Sequence, residues 1–205
     1  MGIYSSYILP KLVHWTCRQK PNQKQRQKIV PKATGSVLEI GIGSGLNLPF
    51  YNPAQVKSVT GIDPSEEMWD ENELDPGSLQ FDVVFEQARA EELPFEKNKF
   101  DSVVITYSLC TISEPEVALT EMRRVLKPKG ILYFCEHGKA PDDSVEKWQN
   151  RINPVWTKLA GGCNLNRDIP ALISGNGFDI AHLETMYIPG WKAASFNYWG
   201  SARMG

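Results

Sequence analysis

Glycines at positions 41, 43 and 45 follow an apolar run, Val37-Leu38-Glu39-Ile40, and together they describe a backbone cradle. With no Cβ, the chain there can come close to a ligand, and a helix opening after the turn would aim N–H groups at it. A dinucleotide fingerprint requires G-x-G-x-x-G. This loop is G-x-G-x-G, and a carboxylate, Glu39, stands two residues before its first glycine, poorly placed beside a pyrophosphate. A second acid, Asp63, closes the next apolar run 22 residues beyond Gly41. A carboxylate there can accept hydrogen bonds from both hydroxyls of a ribose. Loop and acid together predict a nucleoside site that is not built for a dinucleotide.

Further along, His137 falls just past the fifth predicted strand, where open α/β sheets hold their ligands, and imidazole titrates in the range needed for proton transfer. Cys110 follows the fourth predicted strand and is a candidate for the wall of an acceptor pocket, although buried cysteines commonly pack as small apolar groups. Cys163, Asn164 and Arg167 lie in a later segment. Arg167 can hold an anionic acceptor, offset a thiolate's charge or pair with Asp168. Trp148, Trp156 and Trp191 read either as pocket walls or as plain core, and His14 and His182 have no comparable placement. The four cysteines (Cys17, Cys110, Cys135, Cys163) are far apart with no C-x-x-C pair, so their spacing suggests neither a zinc site nor a disulfide framework.

These residues need a scaffold, and the pattern supplies one. Strand-length apolar runs at Ser36–Gly41, Ser58–Asp63, Phe81–Glu86, Phe100–Thr106 and Gly130–Glu136 alternate with helical stretches. The clearest helix is Glu114–Lys127, with Ala118, Met122, Val125 and Leu126 on one face. Ser113 and Glu116 offer a capping box at its start, and Pro128 and Gly130 end it. Asp168–Gly175 reads as a helix, and Phe178–Met186 with Ser195–Ala202 as a final strand pair. Such alternation predicts an α/β fold with a mostly parallel sheet covered on both faces. Residues 1–33 form a separate zone, a helix packed on the core, a lid or a membrane-surface anchor through residues 1–15. Residues 141–170 read as an inserted cap within a main domain spanning 34–205.

Composition narrows the partners. A net charge of −2 and only average hydrophobic content argue against a nucleic-acid binder with a strongly basic surface. Six Trp, eight Phe and seven Tyr exclude a disordered chain. No run approaches the roughly 20 apolar residues that span a bilayer, and the N-terminus lacks a signal-peptide pattern. The chain reads as cytoplasmic with free thiols.

The glycine loop, Asp63, Ala90-Glu91-Glu92-Leu93-Pro94-Phe95, Phe100-Asp101-Ser102-Val103-Val104 and Arg123-Arg124-Val125-Leu126-Lys127-Pro128-Lys129-Gly130 resemble class I S-adenosylmethionine-dependent methyltransferases of the ubiquinone/menaquinone C-methyltransferase type. A nearer resemblance is to the methyltransferase-like seven group, the thiol methyltransferases. It rests on Asn47-Leu48-Pro49-Phe50-Tyr51, Ser108-Leu109-Cys110-Thr111-Ile112, Glu136-His137 and Gly162-Cys163-Asn164-Leu165-Asn166-Arg167. The resemblance implies a Rossmann-like sheet of seven strands, mostly parallel with an antiparallel last strand, and S-adenosyl-L-methionine as cofactor. It places Glu39, Gly41, Gly43, Gly45 and Asn47 around the methionine portion, Asp63 on the ribose, Pro64 or Ser65 and Ala90 at the adenine, and Thr106 and Tyr107 beside the reacting methyl. Arg89 stands where many relatives have an adenine-accepting Asp. Arginine cannot accept a hydrogen bond, so either Glu91 or a backbone carbonyl replaces that contact, or the adenine is held less specifically. On the acceptor side the implied residues are His137 and Cys110 as catalytic groups and Tyr4, Tyr7, Cys163, Asn164 and Arg167 around a small, fairly apolar molecule. A thiol is the first reading, and a quinone-like, phenolic or phospholipid acceptor the second. A nucleoside-binding scaffold without activity is the reading from another class.

Overall fold

The computed structural model describes residues 8–205. A seven-stranded sheet runs β1 (Gly35–Ile40), β2 (Val56–Asp63), β3 (Asp82–Gln87), β4 (Phe100–Thr106), β5 (Leu126–His137), β6 (Phe178–Tyr187) and β7 (Phe196–Met204). In space the order is β3-β2-β1-β4-β5-β7-β6. The five strands from β3 to β5 are parallel, and β7 lies antiparallel between β5 and β6. The seven expected strands, the mostly parallel sheet and the antiparallel last strand are therefore all present.

Both faces of the central strands β1 and β4 are buried, which is why these are near-continuous apolar runs, whereas the edge strands β3 and β6 are largely exposed. Successive residues alternate between two layers. Leu38, Ile40, Val103 and Ile105 pack in one cluster, whereas Val37, Val59 and Val104 belong to the other. The first layer is covered by α4 (Pro115–Val125) and α6 (Ile169–Gly175), which contribute Leu119, Met122 and Ile173. The second receives Ile29 from α2 (Lys20–Ile29) and Val30 beyond it. Ahead of α2 lies α1 (Leu9–Cys17), and the short α3 (Glu66–Asp70) follows β2.

Two local expectations fail. The Ser113–Glu116 capping box does not form: α4 begins at Pro115, its N-cap is Glu114, and no side chain caps it. Proline at the first helical position has no N–H to satisfy, so the start moves past Ser113. The helix also stops at Val125, because Leu126 is already extended (ψ 136°) two residues before Pro128. Residues 141–170 contain α5 (Asp143–Leu159), a long helix after β5 that keeps the alternation. Buried Gln149 pins α5, accepting from the Ala140 N–H and donating to the carbonyls of Gly138, Leu165 and Ala193 at 2.8–2.9 Å.

The sheet order reverses at β1, whose neighbours are β2 and β4. In such sheets the crevice beyond the carboxyl ends of the strands at this point is the natural ligand site.

Candidate active site

β1 delivers Glu39, 1% exposed, to that crevice. Asn47 Nδ2 donates to Glu39 Oε1 at 2.9 Å and Tyr51 OH to Oε2 at 2.7 Å. Asn47 Nδ2 also reaches Thr106 Oγ1 at 3.0 Å, tying the loop to the end of β4. Burial pushes the Glu39 carboxyl up to about 7, although the Tyr51 and Asn47 hydrogen bonds oppose it. Between these anchors Gly41, Gly43 and Gly45 all take positive φ (68°, 50° and 71°). At Gly41 a Cβ would stand 2.1 Å from Ser108 Oγ. The helix expected to open here is absent. Left-handed residues at alternate positions break the α-helical path, and the chain makes turns and one short 3-10 turn at Leu48–Phe50.

Asp63 braces two loops at once: the Gly43 N–H donates to Oδ2 (3.1 Å) and the Ser65 N–H to Oδ1 (2.9 Å). Each oxygen keeps a second lone pair for a ligand. Burial raises its pKa against the pull of the two N–H groups. Pro64, Ser65, Ala90 and Glu91 continue the same wall. Arg89 turns to Glu91, Nη2 to Oε1 3.1 Å. Burial pulls the Glu91 carboxyl up, but backbone N–H groups and Arg89 outweigh it and hold it below the usual range.

These residues line one cavity of about 430 Å³, together with Thr106, Tyr107 and Ser108. Tyr107 adopts φ 54°, a left-handed conformation uncommon for a bulky residue, and its OH donates to Asn197 Oδ1 at 2.7 Å. The remaining wall comes from the N-terminal helices: Leu9, Pro10, Val13, His14 and Cys17 of α1, and Arg26 of α2. His14 Nδ1 lies 2.7 Å from Ser44 Oγ in the glycine loop. The buried Arg26 guanidinium donates to the Cys17 carbonyl (2.7 Å) and sits 5.0 Å from the centre of the Tyr107 ring. His14 has no predicted role, and Arg26 falls in the Gln/Lys/Arg stretch (Gln19–Lys28) of the N-terminal zone, where no site residue is predicted. Only the packing of α1 and α2 over the loop reveals them.

The acceptor-side expectations fare differently. Cys163 Sγ lies 3.8 Å from Cys110 Sγ and 3.3 Å from His137 Nε2. Neither Cys110 nor His137 is among the cavity-lining residues, whereas Thr111, Ala160 and Gly161 are. Burial disfavours a charged His137 ring, while Cys163 and Glu136 favour it, and the balance raises its pKa. The Cys110 sulfur and then burial push the Cys163 thiol far up. Asn164 and Arg167 do not reach the cavity wall either. Asn164 N and Nδ2 both donate to the Cys110 carbonyl (2.9 and 3.1 Å), and Arg167 Nη1 to the Leu109 carbonyl. They fix the loop after β4, and Arg167 makes no pair with Asp168. None of Trp148, Trp156 and Trp191 lines the cavity: Trp148 and Trp191 are more than half exposed, and Trp156 rests on Trp191 with centroids 5.3 Å apart. Tyr4 and Tyr7 lie outside the described residues. Glu136, for which no role was predicted, accepts from the Ser108 and Leu109 N–H groups through Oε1 (2.8 and 3.0 Å).

Comparison with known proteins decides the class. A methyltransferase domain model matches residues 38–134. Thiol S-methyltransferase TMT1B of Rattus norvegicus is 33% identical over 167 residues, covering 80% of this chain and 65% of that protein. Thiol S-methyltransferase TMT1A of Homo sapiens is 32% identical over 177 residues, covering 84% and 72%. The chain thus spans about two thirds of the length of these relatives. The chain belongs to the class I S-adenosylmethionine-dependent methyltransferases. The fold agrees: the methyltransferase in complex with the Trm112 activator of Haloferax volcanii superposes with a TM-score of 0.68 at 15% identity, over 99% of this chain and 97% of that one.

The methyltransferase takes S-adenosylmethionine as cofactor, and the residues present fit it. The cavity has the volume of a small-ligand site, a half-buried carboxylate with spare lone pairs stands at the end of β2, and side-chain-free backbone approaches it at Gly43. No helix among the described residues of the enzyme is long and apolar enough to cross a membrane.

Proposed function

We propose that the enzyme methylates the sulfur of small, fairly apolar thiols. The observation that carries this reading is the extent of the likeness. The domain model stops at residue 134, whereas the thiol S-methyltransferases align with 80–84% of the chain and so reach beyond the cofactor half. The apolar wall of Leu9, Pro10, Val13 and Ile112 supports an acceptor of that character.

In this reading Glu39, Gly41, Gly43, Gly45 and Asn47 hold the methionine portion. Asp63 accepts from the ribose, and Pro64, Ser65, Ala90 and Glu91 frame the adenine. When bound, S-adenosylmethionine supplies a methyl group already activated on a sulfonium. The chain's task is therefore to align the acceptor and keep water out. The acceptor thiol would lose its proton to solvent, its sulfur would take the methyl carbon, and S-adenosylhomocysteine would leave with the donor sulfur's bonding pair. A cysteine-like thiol ionises near pH 8.5 unaided and a simple alkyl thiol at higher pH, so the step asks for less base catalysis than a hydroxyl or carbon acid. Thr106 and Tyr107 flank the transfer, and Cys110, His137 and Cys163 stand on the acceptor side.

The test offers purified enzyme a short alkyl thiol, a hydroquinone or phosphatidylethanolamine vesicles, and follows S-adenosylhomocysteine. Product formation dependent on the thiol is expected. Turnover with only the quinol or the lipid would replace this reading, and absence of cofactor binding by calorimetry would favour a scaffold.

A further inference from the structure

We propose that Cys110, Cys163 and His137 form a binding site for one thiophilic d10 cation, Zn²⁺ in the first instance. The three candidate ligand atoms lie within 4.8 Å of one another. A tetrahedral ion with Zn–S near 2.3 Å and Zn–N near 2.0 Å sets its ligands about 3.8 Å apart for two sulfurs and about 3.6 Å for sulfur and nitrogen. The distances here are 3.8 Å between the sulfurs and 3.3 Å from Cys163 Sγ to His137 Nε2. Ligand type and spacing thus match one ion within a few tenths of an ångström on these two edges, and the third, Cys110 Sγ to His137 Nε2, is no longer than 4.8 Å.

The ligands are held by structure that does not depend on the ion. His137 ends β5, in register with Asn197 of β7. Cys163 follows two glycines with positive φ (61° and 94°), which turn the chain back after α5. Asn164 then clamps the backbone of Cys110 through two hydrogen bonds, so the two cysteine segments are already joined. Thiols are weak hydrogen-bond partners, and His137 Nδ1 is buried without a partner. Mutual hydrogen bonding is therefore a thin reason for two thiols and an imidazole to share this place. Binding releases two thiol protons, and the two thiolates and one divalent cation offset one another's charge.

Three protein ligands is the count of a site that keeps a fourth position for water or substrate. Thr111, next to Cys110, and Gly161, two residues before Cys163, line the cavity, which puts the site at its acceptor end. A thiol coordinated there is deprotonated outright. This use of the open position rests on the thiol reading above, whereas the site itself does not.

The test is titration of the reduced, chelator-treated enzyme with Co²⁺, then competition with Zn²⁺. Uptake of one equivalent with intense tetrahedral bands and a thiolate charge-transfer band is expected, with displacement by Zn²⁺. Cys163→Ser and Cys110→Ala should lose the charge-transfer intensity, and calorimetry with S-adenosylmethionine confirms that each variant is folded. Absence of tetrahedral cobalt in the wild-type enzyme, or equal uptake by the folded Cys110→Ala/Cys163→Ser double variant, would overturn the site. Adding an alkyl thiol to the cobalt enzyme should shift the visible bands. Cobalt bands indifferent to thiol would overturn the open position while leaving the site. Intact bands with no thiol methylation would count against the thiol reading alone.

Discussion

The glycine cradle and the thiol–imidazole cluster are both small constellations, yet they are assembled in opposite ways. In the cradle Glu39, Gly41, Gly43, Asn47 and Tyr51 lie within one 13-residue stretch, and Asp63, Thr106, Ser108 and His14 brace it from elsewhere. In the cluster Cys110, His137 and Cys163 come from the loop after β4, the end of β5 and the turn after α5. Spacing along a sequence reports geometry only where one turn has to create it. Where sheet order brings the groups together, the same geometry leaves no local trace.

The largest expected effect lies in the cradle. Gly41→Ala puts a Cβ 2.1 Å from Ser108 Oγ at φ 68°. Left-handed backbone and overpacking together should cost about 2–5 kcal/mol, read from the denaturation midpoint. A variant as stable as the wild type would show that Ser108 moves aside freely. Next is a pH effect within the same turn. Glu39 is raised by burial from 4.5 to about 7, so its contribution to stability is complete below pH 4.5 and is lost as pH rises through about 7. That loss is on the order of 3 kcal/mol. Glu39→Gln should flatten the slope between pH 5 and 8, and unchanged slopes would place the titration elsewhere.

Asp63→Ala should weaken S-adenosylmethionine by about 1.5–3 kcal/mol, as for a lost hydrogen bond to a charged group. Calorimetry showing unaltered affinity would remove Asp63 from the ribose. The smallest effect probes the other region. Asn164→Ala removes the side-chain bonds to the Cys110 and Gly162 carbonyls and should cost about 1 kcal/mol of stability, seen as a lower Tm. Cofactor affinity should hold, because no cradle residue bonds to Asn164. A matching loss of affinity would show that the two regions move as one.

The cradle was legible because left-handed backbone forces glycine at alternate positions, and because the acid that braces it closes the next strand. Even so, the helix expected after it dissolved into turns, since three left-handed residues outweigh a helical pattern. The central strands β1 and β4 were legible because burial on both faces writes apolar runs into the chain. His14 and Arg26 were not. α1 is largely apolar and α2 polar, and nothing in the spacing of either says that the hidden side faces the glycine loop, 30 residues on from His14. The cysteines were read as scattered, and sequence separation was the wrong measure for groups that β4, β5 and α5 bring to one end of the sheet.

Tyr107 carries a consequence of its own. A left-handed tyrosine costs roughly 1–2 kcal/mol relative to ordinary backbone, and a glycine in its place would recover that energy. The same glycine would delete the ring beneath Arg26 and the hydroxyl on Asn197 at the wall of the cavity. Truncating a packed aromatic ring costs more than the strain it carries, so the packing of the ring at the cavity wall is what holds the left-handed backbone in place.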